Sequence, residues 1–420
     1  MELPSADDQL VLSHRPIHRS TCTTRKMSTV AGAALLLAAA VVCSSAAGKS
    51  EARRRAVPAV YVFGDSLVDV GNNDFLPPPA PRAGFPCGVD LPRAIPGGRT
   101  GRFTNGYNLA DIIAQRVGFD MSPLAYLSLT PQASLDLLSG HVGANYASGG
   151  SGILDDTGNG TITLREQIKL FADTKVTMIE ANKLGNNRVN RLLSRSLFLI
   201  STAGNDFLAF SDGRATKSDA SAYITKMVTT YLKHIKELYR LGARRLGLLD
   251  ALPIGCLPGC RTSFGHDDAC DAAANSLARR FNALLRLEMA STTAASMPGM
   301  EYSIASIYGI FSDMITNPEL DNGLQEATSA CCGGGRLNAE VDCSASSNLC
   351  TDRDGYVFWD KVHGTQAAYQ RAVAAMFDGA AATKFTEPVS FGQLITGKQA
   401  APVAVLDKLE RPYVDLEAVI

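Results

Sequence analysis

The sequence has no surplus of either charge, no apolar run long enough to span a bilayer and no internal repeat, and each absence excludes a class of protein. Forty Lys plus Arg stand against 41 Asp plus Glu, a formal net charge of -1 over 420 residues. So even a balance gives no electrostatic footprint for nucleic acid or for an anionic membrane surface. The longest apolar run, Val30 to Val42, has 13 residues, short of the about 20 that a helix needs to cross roughly 30 Å of hydrocarbon. No segment of about 20 to 50 residues repeats, which excludes solenoids and propellers. What remains is a globular chain, 46% hydrophobic and 19% charged, with ample apolar material for a sizeable core.

The apolar run has a more specific meaning. Arg25 and Lys26 precede it and Ser45-Ala46-Ala47 follow it, the layout of a signal peptide with a small-residue cleavage site. Residues 1–47 are therefore expected to be an N-terminal extension and signal peptide, with Met27 a candidate start, and the mature chain to be secreted to the extracellular space. An organellar presequence is the alternative. Removing Cys22 and Cys43 from ten cysteines leaves eight, an even set that favours disulfides in an oxidising compartment. Cys343 and Cys350 flank a Ser-rich loop and are expected to be oxidised, a bond between them closing that short loop. Zinc is the competing reading, but Cys256 and Cys260 have no second pair at matching spacing, so no metal and no cofactor are expected. Asn159-Gly160-Thr161 is an N-glycosylation acceptor triplet.

From Ala56 onward, short apolar runs alternate with amphipathic helices, the rhythm of a parallel sheet covered on both faces. Ala59 to Phe63, Ser196 to Ile200, Leu246 to Leu249 and Tyr302 to Ile307 read as strands. Helical faces are marked by Leu164, Ile168 and Phe171, by Ile224, Val228, Tyr231, Ile235 and Leu238 before a Gly242 cap, and by Ala274, Leu277, Phe281 and Leu284. Leu76 to Gly101 is Pro- and Gly-rich and reads as a long loop. One domain is expected over residues 56–394, with 396–420 a flexible tail. Gly392-x-x-x-x-Gly397-Lys398 lacks the Ser or Thr of a phosphate loop and reads as coincidence.

Four clusters place polar groups where the carboxyl edge of such a sheet holds its ligand. Gly64-Asp65-Ser66 turns off the first strand. Asn145 to Gly152 is a glycine-rich loop, read as flexible, whose N–H groups suit an anion. Gly204-Asn205-Asp206 follows a strand with an amide side chain. Asp360-Lys361-Val362-His363 sets a carboxylate three residues before an imidazole, so that the acid can fix the tautomer leaving Nε2 free to take a proton. Singly, each has an ordinary structural reading: a turn serine, a hinge, a surface Asp-x-x-His. His141, His234 and His266 read as structural, and Trp359, the one tryptophan, as packing beneath the Asp-x-x-His loop.

Taken in order, the clusters resemble the four blocks of plant GDSL esterase/lipases, members of the SGNH hydrolase superfamily. Val62 to Asn73 carries the first block, and Thr100 to Gly106, Leu252 to Pro258, Asn317-Pro318 and Cys331-Cys332-Gly333 are similar to further plant-family segments. The resemblance implies a three-layer α/β/α sandwich with a mainly parallel, flavodoxin-like sheet. It also implies a serine esterase or lipase with Ser66 as nucleophile, His363 and Asp360 as base and orienting acid, and Ser66, Gly149 and Asn205 as oxyanion donors. The G-x-S-x-G elbow of other lipases is absent from the expected mature chain, in keeping with this distinct arrangement. One departure is local: the family follows its histidine with Pro-Thr, whereas Gly364-Thr365 stands here and is expected to loosen the loop. The partner is an ester substrate, such as an acyl lipid, cutin, acetylated polysaccharide or phenolic ester, met by a monomer. An acyltransferase using the same residues, or a silent binding protein on this scaffold, are the alternative readings.

Overall fold

The structure, a computed structural model, describes residues 55–92, 99–181, 185–211, 213, 219–264, 268–317 and 323–397. The expected signal peptide, the start at Met27, His266 and nearly all of the expected tail lie outside the described residues. Ten strands are described: β1 Val60–Gly64, β2 Gly143–Asn145, β3 Leu197–Ser201, β4 Arg245–Leu249, β5 Glu301–Ala305, β6 Glu326–Ala330, β7 Cys332–Gly333, β8 Asn348–Leu349, β9 Tyr356–Phe358 and β10 Thr386–Glu387. The helices that bear on the site are α1 Leu109–Arg116, α2 Leu164–Ala181, α3 Gly204–Ser211, α4 Ala220–Leu241, α5 Ala272–Ser296, α6 Gln366–Phe377 and α7 Phe391–Thr396.

The main sheet has the order β10-β5-β4-β3-β1-β2, parallel except at the β10 edge. From β2 to β5 this is the flavodoxin-like order, and its switch point lies between β1 and β3, where the chain leaves the sheet in opposite directions. The α/β fold expected from the sequence is the one observed. Helices cover both faces because both faces are apolar. Tyr61 and Phe63 of β1 and Phe198 of β3 pack on Phe171 of α2, with ring centroids 5.0 to 5.8 Å from it. On the other face the Phe391 ring of α7 lies against Gly247 of β4, filling the space a side chain would take. Full burial of Phe171 corresponds to about 3–5 kcal/mol lost on truncation to alanine.

Sequence and structure differ at a few joints. The strand expected from Tyr302 to Ile307 is Glu301–Ala305, because the Ser306 hydroxyl accepts the Gly309 N–H and starts a helix at Ile307. Gly242 caps α4 in the left-handed conformation, as its position implied. Gly397 caps α7 in the same way, so the Gly392 to Gly397 segment is a helix with its cap, and α7 runs two residues past the expected domain end. The short strands β7, β8 and β10 carry no periodicity long enough to be read.

Candidate active site

Gly64 ends β1 at φ 131°, and a Cβ there would stand 1.8 Å from the Ser201 carbonyl oxygen of β3. Only glycine lets the chain turn here. Ser66 follows in that turn, partly exposed at the carboxyl edge of the sheet. Its Oγ lies 2.8 Å from Nε2 of His363. On the other side of the ring, Nδ1 lies 2.9 and 2.8 Å from the two Asp360 oxygens. Asp360 Oδ1 also accepts the backbone N–H groups of Val362 and His363, each at 2.9 Å. One carboxylate thus holds both the imidazole and the turn that carries it.

The histidine loop is fastened on every side. The Trp359 N–H donates to the His363 carbonyl and the Thr365 N–H to the Val357 carbonyl. Thr365 caps α6 through the Ala368 N–H. Trp359 is fully buried, and its indole N–H donates to the Cys87 sulfur. Phe103 stacks on the His363 ring at 5.3 Å, and the Thr104 hydroxyl donates to the Gly364 carbonyl at 2.8 Å. Gly364 does not loosen the loop, because its N–H donates to the Tyr369 hydroxyl at 2.9 Å, a bond that proline has no N–H to make.

The disulfides lie beside this loop. Cys343 and Cys350 are both oxidised but not to each other: the bonds are Cys331–Cys350 and Cys332–Cys343, with Cys256–Cys270 elsewhere. The pairing follows the short β7–β8 ladder, which sets Cys332 opposite Leu349, next to Cys350. Cys256 is therefore taken by Cys270 and forms no zinc pair with Cys260.

The Asn145 to Gly152 segment is a buried turn rather than a flexible loop. The Ser151 N–H donates to the Ser148 carbonyl, with Gly150 at φ 87°, the arrangement of a type II turn. The Ser148 N–H and the Ser151 hydroxyl both donate to the Gly64 carbonyl, seating the turn beside Ser66. Asn205, near the start of α3, donates its amide to the Ser151 carbonyl at 2.9 Å. The next residue, Asp206, is fully buried and accepts from the N–H groups of Ile153 and Leu154 and from the Thr157 hydroxyl. Gly149, the expected oxyanion donor, already donates its N–H to Asp69 Oδ2 at 2.9 Å.

The profile of the GDSL-like lipase/acylhydrolase family matches residues 60–376. This chain belongs to that family. It is 34% identical over 343 residues to GDSL esterase/lipase LTL1 of Arabidopsis thaliana, covering 79% of this chain and 89% of that one. It is 35% identical over 329 residues to GDSL esterase/lipase APG of the same plant, covering 76% and 90%.

Asp65, which precedes Ser66, is one of several buried carboxyls. Burial pushes Asp65 up to about 7, against the Leu67 N–H and the His363 charge, with Asp206 adding to the rise. Burial likewise raises Asp69 and Asp206 to about 6 against the N–H groups they accept. Burial acts the same way on Asp360, but the His363 charge, its ring and the two backbone N–H groups outweigh it and hold Asp360 below the usual carboxylate range. Asp69, Asn73 and Asp206 were not singled out for the site by sequence reading. Their signal was the unbroken run from Ser66 to Asn73 and the Asp beside Asn205.

The remaining singled-out residues stand away from this chemistry. His141 is exposed and His234 is buried on α4. Asn159 is exposed on a turn between two left-handed glycines, Gly158 and Gly160. Among the described residues no group of three His, Cys, Asp or Glu side chains is arranged to hold a metal ion. No described helix is long and apolar enough to cross a membrane.

Proposed function

We propose that this GDSL family member hydrolyses carboxylic esters by a two-step acyl transfer at Ser66. The observation that carries the reading is the unbroken relay from Ser66 Oγ through both nitrogens of His363 to Asp360. Ser66 Oγ attacks the ester carbonyl while its proton passes to His363 Nε2. Asp360 stabilises the imidazolium and holds its tautomer, and the proton then goes to the departing alcohol. Water, deprotonated by the same nitrogen, releases the acid and restores Ser66.

The tetrahedral oxyanion needs donors aimed at it. The Ser66 N–H has no acceptor among the described residues, Asn205 keeps a second amide hydrogen beyond the one given to Ser151, and the Ser148–Ser151 turn is bonded to both Gly64 and Asn205. The relatives named above are esterase/lipases by name, which supports the class of reaction. Three disulfides support an extracellular setting for the mature chain. Domain limits near residues 56 and 394 belong to the same proposal.

The test is a panel of p-nitrophenyl esters of increasing chain length assayed with wild-type protein and His363→Ala. Turnover by wild type and its loss in a folded His363→Ala support the reading. No turnover of any ester, or equal turnover by both proteins, contradicts it. N-terminal sequencing of the secreted product tests removal of the segment through about Ala47.

A further inference from the structure

The Gly149 residue is gripped from both sides. Its N–H donates to Asp69 Oδ2 at 2.9 Å, and its carbonyl accepts from Asn73 Nδ2 at 2.7 Å. Both partners are buried and themselves fastened. Asp69 Oδ1 accepts the N–H groups of Gly71 and Asn72, and Asn73 Oδ1 accepts the Ser148 hydroxyl. The neighbouring Asn72 donates its amide to the carbonyls of Asn145 and Ala147, tying the same segment to the end of β2. The chain from Asp69 to Asn73 is thus a scaffold built around one glycine.

That grip has a directional consequence. The peptide unit between Gly149 and Gly150 is planar and trans, so fixing its carbonyl direction fixes the Gly150 N–H in the opposite direction. In a type II turn that N–H belongs to the residue at positive φ and is not used by the turn itself. Among the described residues, the Gly150 N–H has no acceptor, whereas that of Gly149 is taken. Gly150 is also partly exposed, while Gly149 is buried.

We infer that Asp69 and Asn73 are positioning residues for the oxyanion hole, clamping Gly149 so that the N–H of Gly150 is the glycine donor to the tetrahedral intermediate. This rests on the ester-hydrolase reading above and deepens it. Asp69 touches no reacting atom. It accepts the Gly149 N–H that would otherwise compete for the oxyanion and holds the turn in the register that presents the next N–H.

Asp69→Asn tests the clamp, because it keeps the shape but sets an amide NH2 or a rotated oxygen against the Gly149 N–H. Steady-state kinetics on p-nitrophenyl acetate, melting temperature and the infrared carbonyl stretch of the acyl-enzyme are measured together. Displacing the donor predicts kcat lower by about 10²-fold with KM little changed. It also predicts an acyl carbonyl stretch shifted to higher frequency, since the carbonyl loses a hydrogen bond, in protein that remains folded at the assay temperature. Asn73→Ala, which releases the carbonyl side of the same glycine, carries the same expectation and decides the matter if Asp69→Asn does not fold. An unchanged kcat per folded molecule and an unmoved carbonyl stretch overturn the inference, as does failure of both variants to fold. Absence of turnover in the wild type instead removes the esterase reading itself, so the two failures are told apart.

Discussion

Thr104 and Gly364, 260 positions apart, are joined by a hydrogen bond from the threonine hydroxyl to the glycine carbonyl at 2.8 Å, both residues being buried. The bond ties the segment from Thr100 to Gly106 to the loop that aims His363, and Phe103 of the same segment stacks on the imidazole. Thr104→Val keeps the volume and leaves the Gly364 carbonyl without its donor. The expected cost is about 1–3 kcal/mol of stability, with kcat lower by about 10-fold as the imidazole loses its fixed aim. Denaturant melts and steady-state kinetics check it, and an unchanged kcat shows that Phe103 and Tyr369 hold the loop alone.

Asn205→Ala separates catalysis from binding. A donor engaged only as the oxyanion forms acts on kcat, so loss of Asn205 is expected to lower kcat by about 10²–10³ while KM stays nearly constant. The same amide also donates to Ser151, so a modest fall in melting temperature accompanies the kinetic change. A fall in activity that only tracks the unfolded fraction assigns Asn205 to the turn alone.

Stability is expected to depend on pH in two opposite directions. Asp65, Asp69 and Asp206 have folded pKa values raised to about 7, 6 and 6, above the unfolded value of about 3.9. The folded state therefore binds the extra protons, and stability falls as pH rises from about 4 to about 7. Asp360 is lowered, so its contribution is present above about pH 4 and is lost as pH falls through its folded value. The melting temperature is therefore expected to rise as pH is lowered from about 7 to about 4 and to drop in stronger acid. Asp65→Asn flattens the first slope, and a melting temperature that only rises with pH contradicts the assignment.

The main strands and helices were legible because apolar periodicity and glycine caps report on burial directly, as at Phe171 and Gly242. The relay was legible for a different reason: Gly64-Asp65-Ser66 and Asp360-x-x-His363 are local motifs, and local motifs survive in sequence. What could not be read depends on contacts between distant segments. The Gly149 N–H looks available until Asp69, 80 positions earlier, is seen to accept it. Cys331 and Cys332 are adjacent, so spacing cannot say which meets Cys343, and the β7–β8 ladder decides. The loop around Gly150 looked flexible because glycine composition reports freedom in the unfolded chain, while its buried hydrogen bonds to Gly64 and Asn73 remove that freedom in the fold.

The central claim is that Ser66, activated by His363, is the group that becomes acylated. A fluorophosphonate probe reads this directly, since it forms a covalent adduct only with a serine whose base is in place. Wild-type protein labelled to completion and mapped by peptide mass spectrometry is expected to carry one adduct on Ser66, with loss of ester turnover in proportion to labelling. A folded Ser66→Ala is expected to take up no probe and to turn over no ester. An adduct on another serine, or turnover retained by Ser66→Ala in protein free of other hydrolases, contradicts the account.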